Sequence, residues 1–168
     1  ASITGHLVLS SFHANSASAA FSRMIDLIGV NPIFSSAIRL VIAQRLVRRL
    51  YDESKEAYEP DQATKDYMRN VLSGVVDRTD IPDIDTCKLW RPVPSEAAPF
   101  GYKGRVVIME QMVVNEKIQQ FLRGEVKDIH SEIIEKVATQ GGMLTLLQVG
   151  VLAALRGETT LEEINRVI

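Results

Sequence analysis

The residues best suited to chemistry in this chain are His6, His13, His130 and Cys87. Imidazole is the side chain that exchanges a proton near neutral pH, and it is the commonest metal ligand. His6 and His13 bracket a short apolar run, Leu7-Val8-Leu9, seven positions apart. An odd separation along a strand puts two side chains on opposite faces. A shared metal is therefore not what the spacing predicts, unless a bulge or the strand's end intervenes. Three histidines and a cysteine could bind zinc in principle, but nothing in their spacing supports it. His6 at a strand start also suits a purely structural, hydrogen-bonded role. His13 is expected where the strand ends, beside Asn15 at a helix start. In open α/β sheets ligands collect outside the carboxyl ends of strands, and a helix N-terminus favours anions. His13 and Asn15 are thus candidates to meet a phosphate oxygen. Arg45, Arg48 and Arg49 form a small basic cluster. It reads either as a solvated edge or as a contact with a phosphate or an acidic neighbour.

The sequence contains no G-x-x-x-x-G-K-[ST] phosphate loop, and no G-x-S-x-G, C-x-x-C or H-E-x-x-H motif. By themselves, these residues give no complete catalytic constellation.

The elements that must position them follow from periodicity and punctuation. The continuous apolar run Leu7-Val8-Leu9 predicts a strand buried on both faces. Asn15 and Ser16 offer N-caps. Ala17, Ala20, Phe21, Met24, Ile25 and Ile28 recur at helical spacing, and Gly29 closes that helix. Strand followed by helix opens an α/β unit. Pro32 breaks the chain. Alternating Ile38, Leu40 and Ile42 favour a strand over residues 40–47. Between residues 51 and 100 prolines and acids accumulate, with one helix expected within Lys55 to Gly74. Val75 to Pro99 reads as a loop-like excursion, expected to be the most mobile part. Gly101 to Arg105 is a turn feeding the apolar strand Val106-Val107-Ile108-Met109. Ile118, Phe121 and Leu122 mark one helix. Ile129, Ile133, Ile134 and Val137 mark a second, carrying His130 with acidic neighbours. Met143, Leu146, Leu147, Val151, Leu152 and Leu155 mark a third. Thr160 and Glu163 predict a capping box opening a short last helix. The tail reads as a small helical bundle.

Composition bounds the function. The chain has 168 residues, 46% of them hydrophobic and 24% charged, with a formal net charge of −2. That suits a folded domain with a real core and gives no electrostatic reason to expect nucleic acid as a partner. A lone cysteine makes no disulfide framework, so a reducing compartment is the default. No apolar run approaches the ~18 residues of a membrane span. The chain starts at Ala1, close to an apolar segment and without methionine. That is the pattern expected of a piece cut from something longer, although a trimmed tag or processed terminus would give the same start.

The stretch from Thr4 to Asn15, TGHLVLSSFHAN, resembles the histidine box of the type II secretion and type IV pilus ATPases, which reads close to TGHLVLSTLHTN. Ile42 to Leu50 is similar to that family's IAQRLVR-L stretch, and Gly101 to Arg105 matches its GYKGR. Gly142-Met143 with Thr145-Leu146 resembles its GM-TL, and Gly157 to Glu163 its closing G-TT-EE segment. The matches keep the family's order and rough spacing along the whole chain.

The resemblance implies an α/β fold: the C-terminal part of a RecA-like P-loop ATPase core, followed by a small helical subdomain. On that division residues 1–50 end the core, 51–100 replace the family's zinc-binding region, and 101–168 form a strand plus the helical subdomain. It implies a homo-hexamer that hydrolyses ATP with Mg and powers pilus assembly or secretion. The phosphate loop, acidic catalytic residues and Walker B motif lie ahead of the histidine box in that family. This chain alone is therefore expected to be inactive. His6 and His13 take the catalytic histidine-box positions, and His13, Asn15 and Arg45 are the implied nucleotide-binding residues. The implied partner is an inner-membrane platform protein, with no direct nucleic acid, and the implied location is cytoplasmic, peripheral at the inner membrane. Three departures stand out. Four zinc-binding cysteines found in many members are missing from Leu50 to Lys55 and from Glu96 to Phe100, so no zinc is expected. Ala14 stands where the family usually has threonine, and Val149 where an acidic residue is frequent. These departures keep an alternative open, a non-catalytic divergent member acting as a ring-packing or docking module.

Overall fold

The computed structural model describes residues 4–168. In chain order its elements are α1 (Ala17–Ile28), α2 (Pro32–Ala37), β1 (Leu40–Leu50), β2 (Glu56–Tyr58), α3 (Gln62–Leu72), β3 (Leu89–Arg91), β4 (Tyr102–Val113), α4 (Glu116–Arg123), α5 (Ser131–Gln140), α6 (Leu146–Leu155) and α7 (Leu161–Val167). The fold is mixed α/β. β1 and β4 form one two-stranded sheet, β2 and β3 another. Bonds from Val114 N–H to the Arg39 carbonyl (2.9 Å) and from Tyr51 N–H to the Gly101 carbonyl (3.0 Å) make the first sheet antiparallel.

The chain divides into two compact units that interleave in sequence. The first takes residues up to Ala43 together with Glu110–Met143. Its core is Phe21 and Ile25 of α1 against Ile118, Phe121 and Leu122 of α4 and Ile134 of α5, closed by Met112 and Val114. Ala17, Phe21 and Ile25 sit at i, i+4, i+8, so one stripe of α1 is buried. Ser16 caps this helix by accepting the Ala19 N–H, and Gly29 ends it with φ +73°.

The second unit takes Gln44–Met109 and Leu144–Ile168. Here Met68 and Leu72 of α3 pack with Val151, Leu152 and Leu155 of α6, with Leu161 of α7 and with Leu89 of β3. Gly150 lets α6 and α7 approach closely: a Cβ there would stand 2.7 Å from Ile164 Cγ2.

Several expectations need correcting. Residues 6–14 form neither strand nor helix, and Leu7 and Leu9 are 89% and 87% exposed. No strand among the described residues pairs with this run, and an unpaired extended segment has no ladder to hold it. Pro32 does not simply interrupt the chain but opens α2 at its first turn. The Asn31 side chain caps that helix by accepting the Ile33 N–H, because proline's missing donor is an orphan there anyway. The excursion from Val75 onward is mostly coil and turn, as expected, but it is anchored in the core. It carries β3, and its Val75, Ile84 and Cys87 are buried in the second core. In the first unit α4 packs with α2 and α5, and α5 with α1; in the second, α6 packs with α7, α3 and β3. His130 lies at the N-cap of α5 rather than within a helix, and its side chain makes no cap bond.

The expected capping box at α7 forms only by half. Thr160 Oγ1 accepts the Glu163 N–H at 3.2 Å, but the Glu163 carboxylate turns elsewhere. A complete box opens α6 instead, where Thr145 and Gln148 satisfy each other's amides.

Candidate functional site

The histidine-bearing segment belongs to the first unit. His6 is exposed, with Nδ1 3.2 Å from Thr4 Oγ1. His13 is also exposed. It lines an open depression with Ala14, Asn15, Ala19 and Arg23. Ala19 and Arg23 are one turn apart on α1, hence on the same face, and the Arg23 guanidinium sits 5.8 Å from the centroid of the Phe12 ring. The structure thus brings His13 and Asn15 together and adds Arg23, which the sequence reading missed. The available signal was its spacing: Arg23 lies two helical turns after the N-cap Ser16, on the side of α1 that faces back toward the cap. Arg45 belongs to the other unit. It lies on β1 in the second unit, half-buried, with Nη1 donating to the Gln44 carbonyl at 3.1 Å.

The N-terminus of α1 is not open to an anion in the way expected. The Ala17 N–H donates to Glu110 Oε1 at 2.7 Å. The Ala19 N–H donates to Ser16 Oγ at 3.1 Å. Two of the first amides that would greet a phosphate are thus engaged, one of them by a carboxylate that is itself 1% exposed. Nearby, burial pushes the Glu135 carboxyl above its ordinary value, and the charges of Glu110 and Glu132 push the same way, against a hydrogen bond from Ser18. An anion in the depression would rely on the side chains of His13, Asn15 and Arg23.

A second cluster lies wholly in the second unit and joins three of the motif stretches. The Glu163 side chain is fully buried. Its Oε2 accepts from Arg48 Nε (3.0 Å) and Nη2 (2.8 Å) and from Arg166 Nε (3.0 Å). Its Oε1 accepts from the Arg48 backbone N–H (2.9 Å) and Arg166 Nη2 (2.7 Å). Burial alone would raise this carboxyl's pKa, but the bonds from Arg166 and Arg48 outweigh it and hold it down at about 2. The Arg48 guanidinium stacks on Tyr102, 4.3 Å from the ring centroid. The Tyr102 hydroxyl meets Thr160 Oγ1 at 3.0 Å, and Thr159 Oγ1 donates to the Arg48 carbonyl at 2.9 Å. The acidic neighbour anticipated for the arginine cluster is therefore Glu163 for Arg48, and Asp52 for Arg49. The chemistry here is structural: β1, the start of β4 and the cap of α7 are tied by one buried carboxylate.

Around the positions where the family's cysteines would fall, Ser54 Oγ donates to the Val93 carbonyl (2.8 Å). Lys55 Nζ bridges Asp52 (2.6 Å) and the Gly157 carbonyl (2.8 Å). Gly101 has φ +72°, and a Cβ there would stand 2.6 Å from both Pro92 Cβ and Val93 N. Cys87 is a free thiol, buried, and burial pushes its pKa up. Among the described residues no three His, Cys, Asp or Glu side chains are grouped to hold a metal ion. None of the described helices is long and apolar enough to cross a membrane. The side chains of His13, Asn15 and Arg23 in the first-unit depression are of the kinds that can donate to a phosphate oxygen. Among the described residues, no group of three His, Cys, Asp or Glu that could hold a metal ion accompanies them.

Comparison with known proteins places these observations. The family described as type II/IV secretion system protein matches residues 1–166. The type II secretion system protein E of Xanthomonas campestris pv. campestris is 36% identical over 167 residues, covering 98% of this chain and 27% of that protein. The type IV pilus assembly ATPase PilB of Thermus thermophilus is 36% identical over 166 residues, covering 98% of this chain and 17% of the relative. The PilB of Pseudomonas aeruginosa is 36% identical over 168 residues, covering 98% of this chain and 27% of its own length. The chain thus spans roughly a sixth to a quarter of these relatives.

Proposed function

Because the chain belongs to the type II/IV secretion system protein family, we propose that it is the C-terminal portion of a hexameric motor ATPase. That motor couples ATP hydrolysis to type IV pilus assembly or type II protein secretion. On this reading residues 1–50 end a RecA-like core, 51–100 are the variable excursion, and 101–168 supply a strand and the helical part. The longer protein is cytoplasmic and reaches the inner membrane through a platform protein.

One observation carries the reading to this chain's own residues. The segment with both histidines is exposed, and its apolar Leu7 and Leu9 stand in water. Leaving apolar area uncovered forgoes about 25 cal/mol per Å², which supports a role for this segment as a surface that further chain of the same protein covers. In the longer protein, ATP with magnesium supplies the phosphoryl group passed to water, and residues outside this chain hold most of it. His13 and Asn15 are the proposed donors to a terminal phosphate, supported by their lining one depression with Arg23, which adds positive charge. His6 belongs to the same exposed segment. Arg45, on β1, is the remaining candidate for a phosphate contact. Positioning and charge stabilisation dominate phosphoryl transfer, so such donors are the kind of group that matters.

The test is ATP turnover by the full-length protein and its His13→Ala variant at matched nucleotide binding. A fall in kcat of roughly 100-fold with nucleotide affinity unchanged is expected of a lost transition-state donor. Full activity in the variant refutes the role of His13. No activity in either protein shifts the reading to a non-catalytic ring-packing or docking module.

A further inference from the structure

We propose that Glu110 is a positioning residue for the histidine-bearing segment, anchoring the first turn of α1 from β4 so that His13 and Asn15 enter the site in a fixed orientation. The proposal rests on the motor reading above, in which those two side chains face a phosphate.

Three features of the first unit carry it. Glu110 is a carboxylate with 1% exposure on the buried side of β4, flanked there by Ile108 and Met112. Burying such a group is unfavourable unless its oxygens are satisfied. Its Oε1 accepts the Ala17 N–H at 2.7 Å across 93 residues of chain. A carboxylate at a backbone amide is among the stronger hydrogen bonds, and here it also faces the positive end of the helix. Ala17 is the first residue of α1, directly after the N-cap Ser16. His13 and Asn15 lie four and two residues upstream of it, too few for slack to absorb a shift of the helix start. Glu110 thereby takes the place an anion would otherwise occupy at this helix end. It leaves the phosphate-facing work to the side chains of the depression.

The substitutions that separate this from mere stability are conservative. Glu110→Gln keeps an oxygen acceptor at the same reach. Glu110→Asp keeps the charge but withdraws it from Ala17 by one methylene. Both are made in the full-length protein, with steady-state ATP turnover, ATP affinity and hydrogen exchange of the peptide covering residues 13–20 as readouts. The expected result for Glu110→Asp is a roughly 10- to 100-fold fall in kcat, as for a misplaced catalytic group. ATP affinity should stay unchanged, and residues 13–20 should exchange faster. Glu110→Gln is expected to restore most of kcat and the slow exchange. An active wild type with an equally active Glu110→Asp overturns the positioning role while leaving the motor reading intact. Unchanged exchange in Glu110→Asp overturns the anchor itself. A wild-type protein without turnover overturns the motor reading and this proposal together. A fall in affinity matching the fall in kcat/KM, with kcat preserved, would assign Glu110 to binding and overturn positioning.

Discussion

Glu163→Gln is the most informative change in the second unit, because it keeps the shape of a buried side chain and removes only its charge. In the native protein five N–H donors from Arg48 and Arg166 converge on the two carboxylate oxygens. The amide replaces one of those acceptors with an NH₂ that points at guanidinium donors. The carboxyl's pKa falls from an ordinary 4.5 to about 2, a difference worth roughly 3 kcal/mol at 1.36 kcal/mol per unit. The Arg48 and Arg166 side chains are 47% and 60% exposed, so they regain water when the carboxylate is lost. A net cost of about 2 kcal/mol at pH 7 follows. The sign of the pH dependence is fixed by the depressed pKa. The contribution is complete above about pH 5 and is lost as pH falls through the interval from 4.5 to 2. Urea unfolding followed by the fluorescence of Trp90, the sole tryptophan and a residue of this unit, reads the effect directly. Wild type and variant should differ by about 2 kcal/mol at pH 7 and converge near pH 2. Two curves that stay parallel from pH 7 to pH 2 would show that the charge of Glu163 is not what the arginines recognise, and the reasoning would fail.

Two further changes test the packing. Gly150→Ala places a methyl 2.7 Å from Ile164 Cγ2 and 2.9 Å from its Cδ1. Overpacking of about 1–3 kcal/mol exceeds the gain in helix propensity of about 1 kcal/mol, so a lower urea midpoint is expected; an unchanged midpoint would mean that α6 and α7 separate freely. Glu135→Gln removes a carboxyl whose charged form burial disfavours, while keeping an acceptor for Ser18. Its folded pKa is raised, so ionisation destabilises the native state at neutral pH. The variant should therefore melt higher than wild type at pH 7, and the gap should close in acid, as differential scanning calorimetry can check.

Much of this protein is legible in local sequence. The α1 stripe Ala17, Phe21 and Ile25, the Ser16 cap and the terminal Gly29 are signals that act within a few residues. The alternation through β1 and the glycine-led start of β4 are of the same kind, and the ordered motifs point to the family. Thr145 with Gln148 and Thr160 with Glu163 share one capping-box spacing, so local sequence alone does not tell which of the two boxes closes fully. What tertiary structure alone decides has partners far away in the chain. Glu163 leaves its capping role because Arg48, 115 residues distant, offers charge-assisted bonds that a local amide cannot match. Glu110 closes the start of α1 from 93 residues away, which no helix-start pattern encodes. Leu7-Val8-Leu9 has the composition of a buried strand, yet a strand exists only where a neighbour supplies the ladder. Composition is a property of the residue, whereas pairing and burial belong to whatever folds against it.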